Sequence, residues 1–213
     1  MNQLNFKSQD IDLIIGTLHL HLKDIDKFES TEYFESYFEF IKYFKKLDVI
    51  DCHSLIISSY FTYGWMPTIL KKFNTQNNIT EAIEIFNKIK NNKEIVELEY
   101  FTLIDCINNS IVGVSKLLHF INPNEYPIFD SRIKKYFKHN NLLESIYQNT
   151  YHNKNQSIKQ YQTYRRLCQF IIEDKKFNEI YNLSIYKLGL DGKLTKMRVL
   201  ENLFFYFGKY QKN

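Results

Sequence analysis

SIVGVSKLLHFINPNEYPIFDSRIKKYF, residues 110–137, holds one of the six glycines (Gly113) and two of the three prolines (Pro123 and Pro127) in a chain of 213 residues. In a sequence this poor in both, the cluster marks backbone geometry that must be specific. Gly113 follows the polar run Asn108-Asn109-Ser110. It is expected to make a tight turn between two helices and to let a ligand approach the backbone, with N–H groups at the next helix start free to face a phosphate. Lys116, His119 and Phe120 then share one helix face at i, i+3 and i+4, with Leu117, Leu118 and Ile121 opposite. Asn122 to Pro127 reads as a connector. Pro127 pushes Tyr126 towards an extended conformation, so Ile128 and Phe129 are expected as a short buried extended piece. Asp130 opens the next helix, where an N-cap is a sufficient reading. The connector also returns the second helix beside the first. That would bring the Lys116 ammonium and the Asp130 carboxylate, fourteen positions apart (130 − 116), to one cleft.

Outward from this stretch the chain is patterned at the helical period. A first helix is expected from Ser8 to about Lys23, and a second after a cap at Ser30 or Thr31, through Phe34, Tyr37, Phe38, Ile41 and Phe44. A third runs from Asp48 to a stop at Gly64, followed by a turn of helix from Pro67 to Phe73. Further helices open at Thr80 and run from Glu94 to Asn108. Beyond Phe137 the pattern gives a short helix at Leu142–Tyr147, an exposed loop at 151–156, and a long amphipathic helix through Ile158 and Ile171. A last helix, with Leu194 to Phe207, is closed by Gly208 and preceded by a turn between Gly189 and Gly192. Arg198 and Glu201 are read as a helix-surface ion pair. Alternation of the strand type is nowhere sustained, and no Ser/Gly/Pro linker divides the chain. The expected fold is all-α, with about ten helices in two tightly joined lobes of a single domain, 1–213.

Lysine and arginine total 28 against 24 acidic residues, for a net charge of +4 and an isoelectric point near 8.7. That permits nucleic-acid contact without demanding it. Cys52, Cys106 and Cys168 are odd in number and far apart, as expected of small buried hydrophobes in a reducing compartment. There is no CxxC pair, and His19 and His21 point to different helix faces, so no metal site is expected. No cofactor is expected either. A signal-like N-terminus and an 18-residue apolar run are absent, which gives a cytoplasmic expectation with no membrane contact. Tyr60, Phe61, Tyr63 and Trp65 gather four aromatics in six positions, as core filler or as the wall of a pocket.

The segment from about residue 108 to 138 resembles the helix-hairpin-helix DNA glycosylase superfamily, most closely its 8-oxoguanine-glycosylase-like branch. In that family a glycine-containing hairpin precedes a helix bearing a catalytic lysine, and a proline-containing connector leads to an aspartate at the next helix start. Here Gly113-Val114-Ser115-Lys116 and Tyr126-Pro127-Ile128-Phe129-Asp130-Ser131-Arg132 carry the resemblance. The hairpin reads Ser110-Ile111-Val112-Gly113-Val114-Ser115 where the family usually has a Leu-Pro-Gly-Val-Gly type sequence. The resemblance implies excision of a modified or damaged base, with Lys116 and Asp130 catalytic and DNA as the partner. Gly113, Ser115, Arg132, Lys134 and Lys135 would then contact nucleic acid, and Tyr60, Tyr63, Trp65, His119 and Phe120 would line the base pocket. A non-catalytic helical module binding nucleic acid or a protein is the alternative, and a regulatory protein with a plain Lys116–Asp130 ion pair is a third. Arg132, Lys134, Lys135 and Lys138 are equally well explained as a solvated basic helix end.

Overall fold

A computed structural model describes residues 6–25, 32–65, 69–71, 73, 79–150, 153–190 and 192–210. Among them the chain is all-α, with eleven helices and no strand: α1 (Ser8–Lys23), α2 (Glu32–Lys46), α3 (Cys52–Trp65), α4 (Ile79–Lys90), α5 (Glu97–Cys106), α6 (Ile111–Ile121), α7 (Ser131–His139), α8 (Glu144–Tyr147), α9 (Lys154–Glu173), α10 (Phe177–Leu188) and α11 (Lys196–Tyr210). None of the described helices is long and apolar enough to cross a membrane.

The helix ends depart from expectation where local capping wins. α3 begins at Cys52 rather than Asp48, because Asp51 and Ser54 cap each other. The Asp51 carboxylate accepts from the Ser54 N–H at 2.8 Å, and the Ser54 hydroxyl accepts from the Asp51 N–H at 2.9 Å. Asn153 caps α9 by accepting from the Gln156 N–H at 3.0 Å, so Lys154 to Gln156 are helical and not loop. Helix α10 was not foreseen as a separate element, since Ser184 breaks the apolar rhythm of its buried face. Gly64 and Gly208 end no helix, as α3 and α11 run through them. The cap at Ser30 or Thr31 and most of the expected 67–73 helix lie outside the described residues. Phe73, which is described, instead forms an isolated antiparallel bridge with Ile107.

The chain divides into two compact units: Met1–Phe34, Phe129–Asn149 and Lys159–Asn213 in the first, Glu35–Ile128 and Thr150–Ile158 in the second. In the first unit α7 and α11 are pressed together. A Cβ built on Gly208 would overlap the backbone carbonyl of Arg132, so only glycine lets the two helices come this close. Around that contact Tyr136 packs on Phe204 (5.0 Å between ring centres), Phe137 on Phe204 (4.9 Å), and Phe129 stacks on Tyr164 (5.0 Å). Arg198 and Glu201 do pair, but inside the unit and not on its surface, with side chains 8% and 1% exposed. The Arg198 guanidinium also lies over the Phe34 ring, 5.8 Å from its centre.

In the second unit α6 is the central helix, contacting α3, α4 and α5. Its residues 111, 113–120 are all buried. The aromatic shell around it comes from α2 and α3: Phe40 meets Phe120 at 5.2 Å and stacks on Phe61 at 4.3 Å.

Two outcomes follow for the first unit. Gly208→Ala is expected to lower its stability by about 1–3 kcal/mol, since the clash is with backbone that has no rotamer to change. Urea unfolding reads this, and an unchanged midpoint would mean that α7 and α11 can separate at no cost. His21 is half-buried against Tyr136 (6.0 Å) and Phe207 (5.0 Å). Its burial lowers its pKa below 6.5, against the opposing pull of Asp24, and His139 adds to the lowering. The unfolded chain therefore binds that proton more readily, so stability is full above about pH 6.5 and falls as pH drops through it towards the folded value. The thermal midpoint should fall between pH 7.5 and 5.5 in the native protein and fall less in His21→Phe; parallel profiles would clear His21.

Candidate active site

Helix α6 starts with Ser110, whose hydroxyl accepts the Gly113 N–H at 3.3 Å. The turn before it is made by Asn108 (φ 57°) and Asn109 (φ 50°), since Asn tolerates the left-handed conformation. Gly113 is thus not the turn residue the sequence suggested. It sits in the first turn of α6, where a Cβ would overlap the hydroxyl and ring of Tyr63. The close approach that its missing side chain permits is to Tyr63. Burial raises the pKa of that phenol, partly offset by the Asn108 and Ser110 side chains beside it. Ser115, also expected to face nucleic acid, is fully buried, and its hydroxyl donates to the Val112 carbonyl at 2.8 Å. Both residues are interior to the second unit.

The face of α6 that carries Lys116, His119 and Phe120 meets the aromatic shell. Lys116 is only 8% exposed, and its ammonium lies 5.6 Å from the centre of the Trp65 ring. Trp65 in turn meets Phe120 edge-on at 5.4 Å. His119 is fully buried, with Nδ1 2.7 Å from the Tyr126 carbonyl and Nε2 3.0 Å from the Tyr37 hydroxyl. A carbonyl only accepts, so Nδ1 carries the proton and Nε2 accepts from Tyr37. His119 is therefore a satisfied clamp that ties the connector to α6 and α2. Lys116, Trp65, His119 and Phe120 come together, Tyr63 borders them through Gly113, and Tyr60 is 58% exposed and outside this packing.

In the first unit Asp130 caps α7. Its Oδ1 accepts from the N–H groups of Arg132 (2.7 Å) and Ile133 (3.3 Å), the arrangement its position before the helix predicted. Arg132 is exposed and lays its guanidinium over Phe205, 4.5 Å from the ring centre. Lys135 and Lys138 are exposed on the same helix. Lys134 is only half-exposed, with its ammonium 5.1 Å from the centre of the Phe129 ring, and burial lowers its pKa. Lys116 and Asp130 belong to different units.

Sequence reasoning missed Tyr37, Phe40 and Phe205 as partners of these groups. Tyr37 reads as a member of an ordinary apolar stripe, Phe40 and Phe205 stand out in no pattern, and only long-range contact distinguishes them. Among the described residues no cluster of three or more His, Cys, Asp and Glu side chains could hold a metal ion. No protein-family model, curated protein or solved structure matches the chain.

The contact between Gly113 and Tyr63 is testable by a double-mutant cycle. Alanine in place of glycine gains about 1 kcal/mol of helix propensity, but the overlap with Tyr63 costs about 1–3 kcal/mol. Gly113→Ala alone should destabilise the second unit. Combined with Tyr63→Phe, which removes the nearest clashing atom, it should destabilise by less than the sum of the two single variants, by at least about 0.5 kcal/mol. Strict additivity in urea unfolding would disprove the coupling.

Proposed function

We propose that the chain is a base-excision enzyme of the helix-hairpin-helix glycosylase type, acting on a modified or damaged base in cytoplasmic DNA. One observation carries the reading: the Lys116 side chain is only 8% exposed, with its ammonium 5.6 Å from the centre of the Trp65 ring. Lysine is among the residues least often buried, and a lysine held out of water is a functional-site candidate on physical grounds. Schiff-base chemistry needs such a shielded amine.

A base inside a duplex is out of reach, so the enzyme extrudes it into a pocket. Tyr63, Trp65 and Phe120 supply the stacking wall. Asp130 stabilises the positive charge that grows on the deoxyribose as the base leaves, or activates the attacking nucleophile. Lys116 attacks C1′ as the bond to the base breaks, and opening of the C1′–O4′ bond, with the amine proton passing to O4′, gives the Schiff base. Arg132 and Lys135, exposed on α7, would neutralise phosphates, the sequence-independent part of DNA binding.

A second reading has its own support. The Asp130 carboxylate already serves as the cap of α7, which suits a non-catalytic helical module that binds nucleic acid or a protein. Two variants separate the readings on a panel of duplexes carrying oxidised, alkylated or deaminated bases. Lys116→Ala should abolish base release and the borohydride-trapped adduct on the responsive duplex, by at least 100-fold on the scale of a lost catalytic group. Asp130→Asn should keep the fold and DNA binding and lose base release. DNA binding without release of any base from the panel would favour the second reading.

A further inference from the structure

Helix α1 has an inner apolar face, with Ile11, Ile14, Ile15, Leu18 and Leu22 all buried. On its opposite side Leu13 and Leu20 are 58% and 66% exposed. An open groove of about 410 Å³ runs along them, past Gly16 and Thr17. These four residues follow at three- and four-residue steps, so they form one helix face. Gly16 stands at its centre. Glycine inside a helix costs about 1 kcal/mol relative to alanine. At Gly113 and Gly208 a neighbouring group accounts for it, but a Cβ added at Gly16 meets nothing within 4 Å among the described residues. What glycine offers there is close approach of a backbone from outside.

The face is also self-complementary. Leu13-x-x-Gly16-Thr17-x-x-Leu20 reads alike in both directions. An antiparallel copy, related by a two-fold axis between Gly16 and Thr17, sets each Leu13 level with Leu20 of the other copy, with the small residues at the crossing. Asp12 and Lys23 are three helical turns apart (23 − 12 = 11 positions) and border the groove on one flank. Reversal brings Lys23 of the second copy within reach of Asp12, and the two-fold axis repeats the pair. Asp12 holds Lys176 at 2.6 Å through one carboxylate oxygen, so the other oxygen can take this second cation. The opposite flank sets Asp10 near Asp24 of the other copy, a like-charge cost. It is eased because Asp10 turns back to accept the Lys7 N–H at 3.3 Å. A parallel copy would instead set Asp12 beside Asp12 and Lys23 beside Lys23.

We propose that the outer face of α1 is a self-association surface, on which two copies of the chain dock α1 against α1, antiparallel and crossing at Gly16. Two turns of helix bury less than the roughly 1,200 Å² at which stable complexes begin. The dimer is therefore weak and reversible, and forms at micromolar concentrations and above. Its existence is independent of the base-excision reading.

Sedimentation equilibrium of the full chain from about 5 to about 500 μM, the range of weak interfaces, tests this. The native protein should pass from monomer towards dimer across that range; a monomer throughout overturns the inference. Gly16→Arg should weaken the dimer at least about tenfold by overfilling the crossing. The same variant should keep the native thermal midpoint, since the added side chain has open space in the single chain. Association of native strength in Gly16→Arg would assign the dimer to another surface and overturn the role of α1. Orientation is read by exchanging charges. Lys23→Glu opposes like charges at both symmetry-related pairs and should weaken the dimer at least about threefold. Adding Asp12→Lys restores opposite charges and should recover the native constant. A double variant no tighter than Lys23→Glu alone overturns the antiparallel pairing.

Discussion

The second unit turns on a single imidazole. His119 donates its Nδ1–H to the Tyr126 carbonyl and accepts the Tyr37 hydroxyl at Nε2. One side chain thereby joins α2, α6 and the end of the connector. The start of the connector is held separately, with the Asn122 amide donating to the Asn92 side chain at 3.0 Å and to the Ile89 carbonyl at 3.4 Å. Between these anchors the path towards Pro127 and Ile128 is fixed. Without the imidazole these two buried hydrogen bonds are lost, at about 0.5–1.5 kcal/mol each. No apolar residue of the same size substitutes, since the site needs one donor and one acceptor at opposite edges of a ring.

Cations in this protein find aromatic faces. Lys116 rests on Trp65, Arg132 on Phe205, Lys134 on Phe129 and Arg198 on Phe34. A ring face attracts positive charge without supplying a countercharge. Arg198 also has a buried carboxylate beside it, Glu201. The aromatic richness visible in the composition thus acts in electrostatics as well as in core volume.

What was legible in the sequence is what local chemistry decides. The bounds of α1, the cap at Asp130 and the burial of Ile128 and Phe129 all follow from residues within a few positions of one another. The glycines show where this stops. Gly189 and Gly192 have positive φ, as turn residues should. Gly113 and Gly208 have the same one-letter code but lie inside helices, needed because Tyr63 and the Arg132 carbonyl press on them. Nothing near either glycine announces those partners. Likewise the Arg198–Glu201 spacing gave the pair, while its burial depends on elements elsewhere in the chain.

The interleaving of the two units sets an order on biosynthesis. Apart from Thr150–Ile158, the second unit is one continuous stretch, Glu35–Ile128, so its helices can meet soon after they leave the ribosome. The first unit has to wait. Tyr136 and Phe137 of α7 find their cover in Phe204 and Phe207 of α11, a loop of roughly seventy residues that must close before the contact repays its entropy. Until translation reaches that last helix, the aromatic face of α7 lacks the cover of Phe204 and Phe207. That interval is when chaperones, or unwanted neighbours, have their opportunity.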